Sequence, residues 1–285
     1  MSTSVYGVLI FSLLSLELLR VLAHGTKTEY TLKEENGRSL SKEDGPLQEL
    51  TKKLDNLMGR GKWDEAEEFL SAVRTRALEQ HNDSMLLSVE NEQMGFYRMH
   101  GERDKFLATR DNVFSLLDKV RIDRKNRGTI LINAATGLVA FGRAEEALPL
   151  YRETETLFKA VLPANDVLFA ALYNNMASAC LAQGDPSGAE KLMLRALSIL
   201  QTLPHHPDVG TTLVNLAQMY AARGESTKAD DCLQKAVECF DDPEILWNGY
   251  YAHTLQKCAG AFMILGYDSY AAELRERAEL IYEGT

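Results

Sequence analysis

One period dominates the chain. Glycines recur at Gly61, Gly101, Gly142, Gly184, Gly224 and Gly266, at spacings of 40, 41, 42, 40 and 42 residues. Seven residues before them stand Leu54, Met94, Ala135, Ala177, Ala217 and Ala259. Four before them stand Leu57, Tyr97, Leu138, Cys180, Tyr220 and Phe262, and five after them Ala66, Phe106, Ala147, Ala189, Ala229 and Ala271. Small residues let two antiparallel helices approach, large ones fill the space beside them, and glycine permits the tight turn between them. One helix, a glycine turn and a second helix are therefore written six times. Such a unit cannot bury its apolar face alone, so copies must stack, and this self-similarity decides the fold class before any local reading does. The pattern is strictest in the last four copies. In the first two, Leu54 and Met94 replace the small residue and Phe106 replaces an alanine.

The register predicts an all-α protein, an α-solenoid of about six helix-turn-helix repeats over residues 46–285. The repeats fall at about 47–80, 84–120, 128–161, 166–202, 208–240 and 244–283. Within them the helices are expected at about 47–59 and 63–80, 84–99 and 103–120, 128–141 and 144–161, 166–183 and 186–202, 208–222 and 226–240, and 244–265 and 268–283. Breaker residues mark the connections, as in Leu162-Pro163, Leu203-Pro204-His205-His206-Pro207-Asp208 and Asp241-Asp242-Pro243. Asp166, Asp208 and Asp242 are expected as helix N-caps, and Pro149 falls near a helix start, where proline costs least. Arg275 stands in the last copy where earlier ones have Leu70, Tyr151, Met193 and Leu233, a polar choice that suits a terminal repeat.

The chain of 285 residues is 45% hydrophobic, ample for a buried core. Its net charge of −10 argues against nucleic acid and anionic lipid as partners. Four cysteines, Cys180, Cys232, Cys239 and Cys258, all fall in expected helices and read as small core residues of a protein in a reducing compartment. Cys232 and Cys239 lie seven residues apart on one helix, roughly 10 Å by helical rise, too far to bridge. No paired cysteine or histidine motif, glycine-rich phosphate loop, nucleophile elbow or His-Glu-x-x-His motif is present. The expectation is a chain without catalysis, metal or cofactor. His205-His206 reads as a loop pair without further ligands, and Trp63 and Trp247 read as core or packing residues. Lys119, Arg121, Arg124, Lys125 and Arg127 form a basic run between the second and third pairs, read first as a solvated loop and second as a site for an acidic partner.

Residues 1–25 are apolar, with Glu17 and Arg20 as the only charges between Val5 and Ala23. Three readings compete: a secretory signal, a membrane anchor, or an extension foreign to the folded unit. Any membrane association would run through residues 5–23. Residues 26–45 are polar and broken by Gly37 and Gly45, and read as a disordered linker.

The repeats resemble the tetratricopeptide repeat, in the longer form of about 40 to 42 residues seen in kinesin light chains. The resemblance is carried by Ala171-Leu172-Tyr173-Asn174-Asn175-Met176-Ala177, by Ala147-Leu148-Pro149-Leu150-Tyr151, and by His206-Pro207-Asp208 running into Leu213-Val214-Asn215-Leu216-Ala217. It covers roughly residues 47–283 but lacks the coiled-coil heptads of a kinesin subunit. It implies a right-handed superhelix whose first helices line a concave groove that binds peptides or protein segments. Asn133, Asn175 and Asn215, each nine residues before a turn glycine, would then form a ladder in that groove. An amide both donates and accepts, so it matches a peptide backbone whatever the side chains. The competing reading has these asparagines bonding a neighbouring helix. Thr129, Thr136, Asn174, Ser178, Thr211 and Gln218 would flank them. Asn91, Arg98 and Met99 would line one end of the groove, and His253, Gln256 and Lys257 the other. The expected function is a non-catalytic scaffold or adaptor that binds an extended peptide, as a cytoplasmic monomer. A peptide-sensing regulator and a membrane-tethered assembly factor are the alternatives, and the apolar start leaves membrane-anchored or secreted placement open.

Overall fold

The structure is a computed structural model and describes residues 44–59 and 61–284. The segment expected as a signal or anchor, and almost all of the expected linker, lie outside the described residues. Twelve helices occur among the described residues: α1 Asp44–Gly59, α2 Trp63–Glu79, α3 Asp83–Met99, α4 Arg103–Leu117, α5 Arg124–Ala140, α6 Ala144–Lys159, α7 Val167–Ala182, α8 Pro186–Leu200, α9 Asp208–Ala222, α10 Ser226–Phe240, α11 Gly249–Ile264 and α12 Asp268–Gly284. No strand occurs among them. The described residues divide into two compact units, one up to Gly137 and one from Leu138. In the first, α1 packs on α2, α2 on α3 and α3 on α4; in the second, α6 packs on α7, α7 on α8, α8 on α9, α9 on both α10 and α11, and α11 on α12. Each unit is thus a run of stacked helix pairs, the α-solenoid arrangement the period predicts.

All six turn glycines adopt positive φ, between 67° at Gly61 and 86° at Gly266. At each, the amide of the following residue donates to the carbonyl four before the glycine: Lys62 to Leu57, Glu102 to Tyr97, Arg143 to Leu138, Asp185 to Cys180, Glu225 to Tyr220 and Tyr267 to Phe262. This closure satisfies the orphan carbonyls of the first helix and needs the left-handed conformation only glycine adopts freely. The residues seven before the glycine are fully buried in every copy, Leu54 and Met94 included. Phe106, where other copies carry alanine, is also fully buried, and its ring lies against Gly137 on α5. A large residue on one helix is thus matched by a glycine on its neighbour.

Two boundaries differ from expectation. Asp123 accepts from the amide of Asn126 at 2.9 Å, so α5 starts at Arg124 and α4 stops at Leu117. The last pair begins at Gly249 because Asn248 caps it, accepting from the Tyr251 amide at 2.9 Å. Asp242 instead holds a turn, accepting from the Glu244 amide at 2.9 Å. Asp166 does cap α7, accepting from the Leu168 amide at 2.9 Å. Asp208 is the first residue of α9 rather than its cap, and its carboxylate receives the Tyr250 hydroxyl. The tryptophans are not core residues: Trp63 is 40% exposed, edge-on to His100, and Trp247 is 56% exposed in the α10–α11 connection.

A polar latch joins some successive pairs. A carboxylate six residues after one turn glycine bonds a tyrosine four residues before the next, and a lysine four residues after that next glycine lies over the ring. Glu67, Tyr97 and Lys105 make one such set, with Lys105 Nζ 2.9 Å from Glu67 and 5.3 Å from the Tyr97 centroid. Glu190, Tyr220 and Lys228 make the second: the Tyr220 hydroxyl donates to Glu190 at 2.8 Å, and Lys228 lies 5.0 Å from the ring centroid. Arg223 adds an ion pair to Glu190 at 2.7 Å. Burial and the Glu190 carboxylate push the Tyr220 phenol up to about 12, while the bond from Tyr220 holds Glu190 below the usual carboxylate range.

Candidate functional site

The first helices of the pairs carry the polar residues that sequence places at a groove. In the second unit these are α7, α9 and α11. Asn174 and Asn175 on α7 are 3% and 1% exposed, and Asn215 on α9 is 6% exposed. Asn175 turns back on its own helix, donating to the Ala171 carbonyl at 2.9 Å. Asn174 reaches the next pair, donating to the Thr212 hydroxyl at 2.9 Å. Thr212 in turn donates to the Asp208 carbonyl at 2.8 Å, so its single proton is committed and the Asn174 amide must present its NH2 group there. The Asn174 carbonyl oxygen is left buried without a partner, and so are the NH2 groups of Asn215 and Gln218.

Thr212, Asn215 and Gln218 recur at every third residue of α9, which places neighbours in the series on one face of the helix. Together with Asn174 they present one unpaired acceptor and two unpaired donors. A buried polar group without a partner costs about 1–3 kcal/mol, so three in one stretch are a feature to be explained. The peptide unit supplies the complementary set, one N–H donor and one C=O acceptor per residue. Ser178, also buried, donates to the Asn174 backbone carbonyl at 3.3 Å and so is already engaged. Lys257 on α11 is half-buried and interacts within the molecule.

In the first unit, the Asn133 amide on α5 donates to the Asn91 side-chain carbonyl on α3 at 2.9 Å. That bond joins neighbouring pairs and is the second of the two readings the sequence allows. Glu92 holds the equivalent place on α3 and is 3% exposed. Glu90 is 1% exposed and receives Arg74 at 2.7 Å and Asn112 at 3.4 Å. Arg98 is half-buried and engaged, whereas Met99 is exposed. The three ladder asparagines therefore have three different environments, and Asn215 has an NH2 group without a bond. Thr212, which fixes the Asn174 amide, was not singled out from sequence. Its signal is a hydroxyl twelve residues before Gly224, on the helix that follows a polar-rich one.

No group of three metal-ligating side chains occurs among the described residues, and no helix among them is long and apolar enough to cross a membrane. His205 pairs with Asp242 at 2.7 Å, and His206 lies 3.9 Å from Asp208. All four cysteines are free, and burial pushes each thiol up, Cys239 to about 11 and Cys258 to about 12, the opposite of what a nucleophile needs.

The tetratricopeptide repeat family profile matches residues 168–242, which hold all but the first residue of α7, the whole of α8 to α10, and the unpaired atoms of Asn174, Asn215 and Gln218; a fourth buried unpaired atom, Asn126 Oδ1, lies outside the match. No curated protein sequence matches the chain. Among solved structures, BtubC (BKLC) from P. vanneervenii is similar over 83% of this chain and 91% of its own, at 21% identity and a TM-score of 0.60. A Podosopora anserina protein of nearly identical TPR-like repeats, of the kinesin-light-chain type, is similar over 70% of this chain and 95% of its own, at 21% identity and a TM-score of 0.48. The stretch that matches the tetratricopeptide repeat profile is built of helix pairs that share their turn glycine, the buried residue seven before it and the 40- to 42-residue period with the pairs before and after them.

Proposed function

We propose that the chain is a scaffold that holds an extended segment of a partner protein against α7 and α9. The observation that carries this reading is the set of three buried, unpaired polar atoms: Asn174 Oδ1, Asn215 Nδ2 and Gln218 Nε2. Two side-chain donors would take peptide carbonyls and the one acceptor a peptide N–H. Recognition would rest on the backbone of the guest rather than on its side chains. No covalent step is required of any residue at the site.

The test uses the whole chain as bait in affinity capture, followed by titration of the captured segment against wild type and the Asn215→Ala, Gln218→Ala double variant. Each amide is expected to contribute about 0.5–1.5 kcal/mol on binding, so the double variant should bind about 5- to 150-fold more weakly if the effects add. Its melting temperature should stay near that of wild type, because neither NH2 group has a bond to lose in the free protein. Unchanged affinity in a folded double variant would overturn the assignment.

A further inference from the structure

The run from residue 119 to 127 holds five cations in nine residues of a chain whose net charge is −10. Four of them, Lys119, Arg121, Arg124 and Lys125, have no side-chain hydrogen bond or ion pair among the described residues. Lys119, Arg121 and Arg124 are exposed and Lys125 is partly exposed. The fifth, Arg127, is structural: its guanidinium donates to the Leu117 carbonyl at 3.1 Å and helps close the end of α4. The run contains a single carboxylate, Asp123, and both of its oxygens are taken by Asn126, from the backbone amide at 2.9 Å and the side-chain NH2 at 2.6 Å. The local acid is thus committed to capping α5 and is not positioned to pair with the cations beside it. Some exposed cations elsewhere are paired, as Lys62 is with Glu65 at 2.8 Å and Lys228 with Glu225 at 2.6 Å, and the other unpaired ones do not stand four together in seven residues.

We propose that this connection between α4 and α5 is a docking surface for a short acidic protein segment. Four unpaired cations within seven residues raise the local potential, and a segment rich in Asp and Glu is its electrostatic complement. The size of the patch favours a short guest. A long polyanion such as nucleic acid, or an anionic membrane, would extend past the patch onto a surface of opposite sign to the one it needs. A few carboxylates fit within about one Debye length, roughly 8 Å at physiological salt, and do not. This surface uses none of the asparagines and is independent of the reading proposed for α7 and α9.

The experiment is fluorescence anisotropy of a labelled tetra-glutamate peptide with the full chain at about 50 mM salt, where exposed charges are less screened than at physiological salt. Two double variants change the net charge equally: Arg121→Ser with Arg124→Ser in the patch, and Lys191→Ser with Lys235→Ser in the second unit. The patch variant should weaken peptide binding about three- to thirtyfold, as loss of two exposed charge contacts predicts, and the control pair should not. Binding should fall steeply as salt is raised, and a photo-crosslinker on the peptide should label residues 119–127. Absence of peptide binding, equal weakening by both pairs, or crosslinks elsewhere would overturn the proposal. So would tighter binding at this patch by a DNA decamer or by phosphatidylserine vesicles.

Discussion

At the scale of single residues, recurrence in sequence does not fix environment. Asn133, Asn175 and Asn215 share one offset from their turn glycines, yet one bonds a neighbouring helix, one bonds its own helix and one keeps an unpaired NH2 group. These differences carry a stability prediction. Asn175→Ala removes a made hydrogen bond from a site that is 1% exposed, and should cost at least about 0.5–1.5 kcal/mol. Asn215→Ala removes an unpaired buried donor and should cost less than Asn175→Ala, or even stabilise. Urea midpoints of the two variants decide the matter, and the reverse order would show that Asn215 is satisfied in solution. The offset was legible in the sequence because it follows the helical period. The bonds were not, because the same amide can turn to its own helix, as Asn175 does to Ala171, or to a partner 42 residues away, as Asn133 does to Asn91. The tryptophans fail for a related reason. Size and apolarity say a residue can be buried, but Trp63 packs only partly, edge-on to His100, and Trp247 is left more than half exposed.

At the scale of elements, pairs of helices are fitted to each other by compensating residues. A Cβ added at Gly137 would lie 2.1 Å from the Phe106 ring, so Gly137→Ala should overpack the α4–α5 contact and cost about 1–3 kcal/mol. In the background of Phe106→Ala the same change should cost little, giving a coupling energy of the same order in a double-mutant cycle. Additive effects would mean that the ring moves aside freely. Phe106 was visible as a departure from the repeat pattern; that a glycine on the next helix accommodates it was not, because the compensation crosses a 31-residue gap in sequence. The latch on Glu190 supplies a pH prediction. Its carboxyl is held below its ordinary value in the folded chain, first by the bond from Tyr220 and then by Arg223. A depressed folded value means that the contribution is fully present above the unfolded value of about 4.3 and is lost as pH falls through the folded one. Glu190→Gln should therefore lower the urea midpoint at pH 7, with a smaller difference at pH 3. An equal difference at both would assign the effect to shape rather than charge. The helix boundaries near residues 117–124 and 244–249 escaped the sequence because a cap depends on backbone conformation: Asp123 and Asn248 each accept from the amide three residues on, whereas Asp242, the expected cap, holds a turn.

At the scale of the whole molecule, the period was the most legible feature, because six copies constrain one another more than any single helix constrains itself. Stacked repeats have stabilities that are nearly sums of each pair and of the contacts between neighbours. The second unit holds three complete pairs, α7 to α12, and three or more repeats are enough to bury a continuous core. Its core is shared across them: Ala177, Ala189, Ala217, Ala229, Ala259 and Ala271 belong to one cluster with Phe240, Tyr251 and Phe262. Cutting ahead of α7 exposes the face that packs on α6 and removes the bond from Tyr173 to Glu155, but breaks none of the turns within the three pairs. A fragment of residues 163–285 should therefore fold on its own as a helical protein. It should unfold cooperatively in urea with an m-value about half that of the full chain, as its share of buried surface requires, and at a lower midpoint. Circular dichroism with urea titration measures both. A fragment without a cooperative transition would show that these pairs draw their stability from the helices before them, and that the second unit is not a nearest-neighbour array.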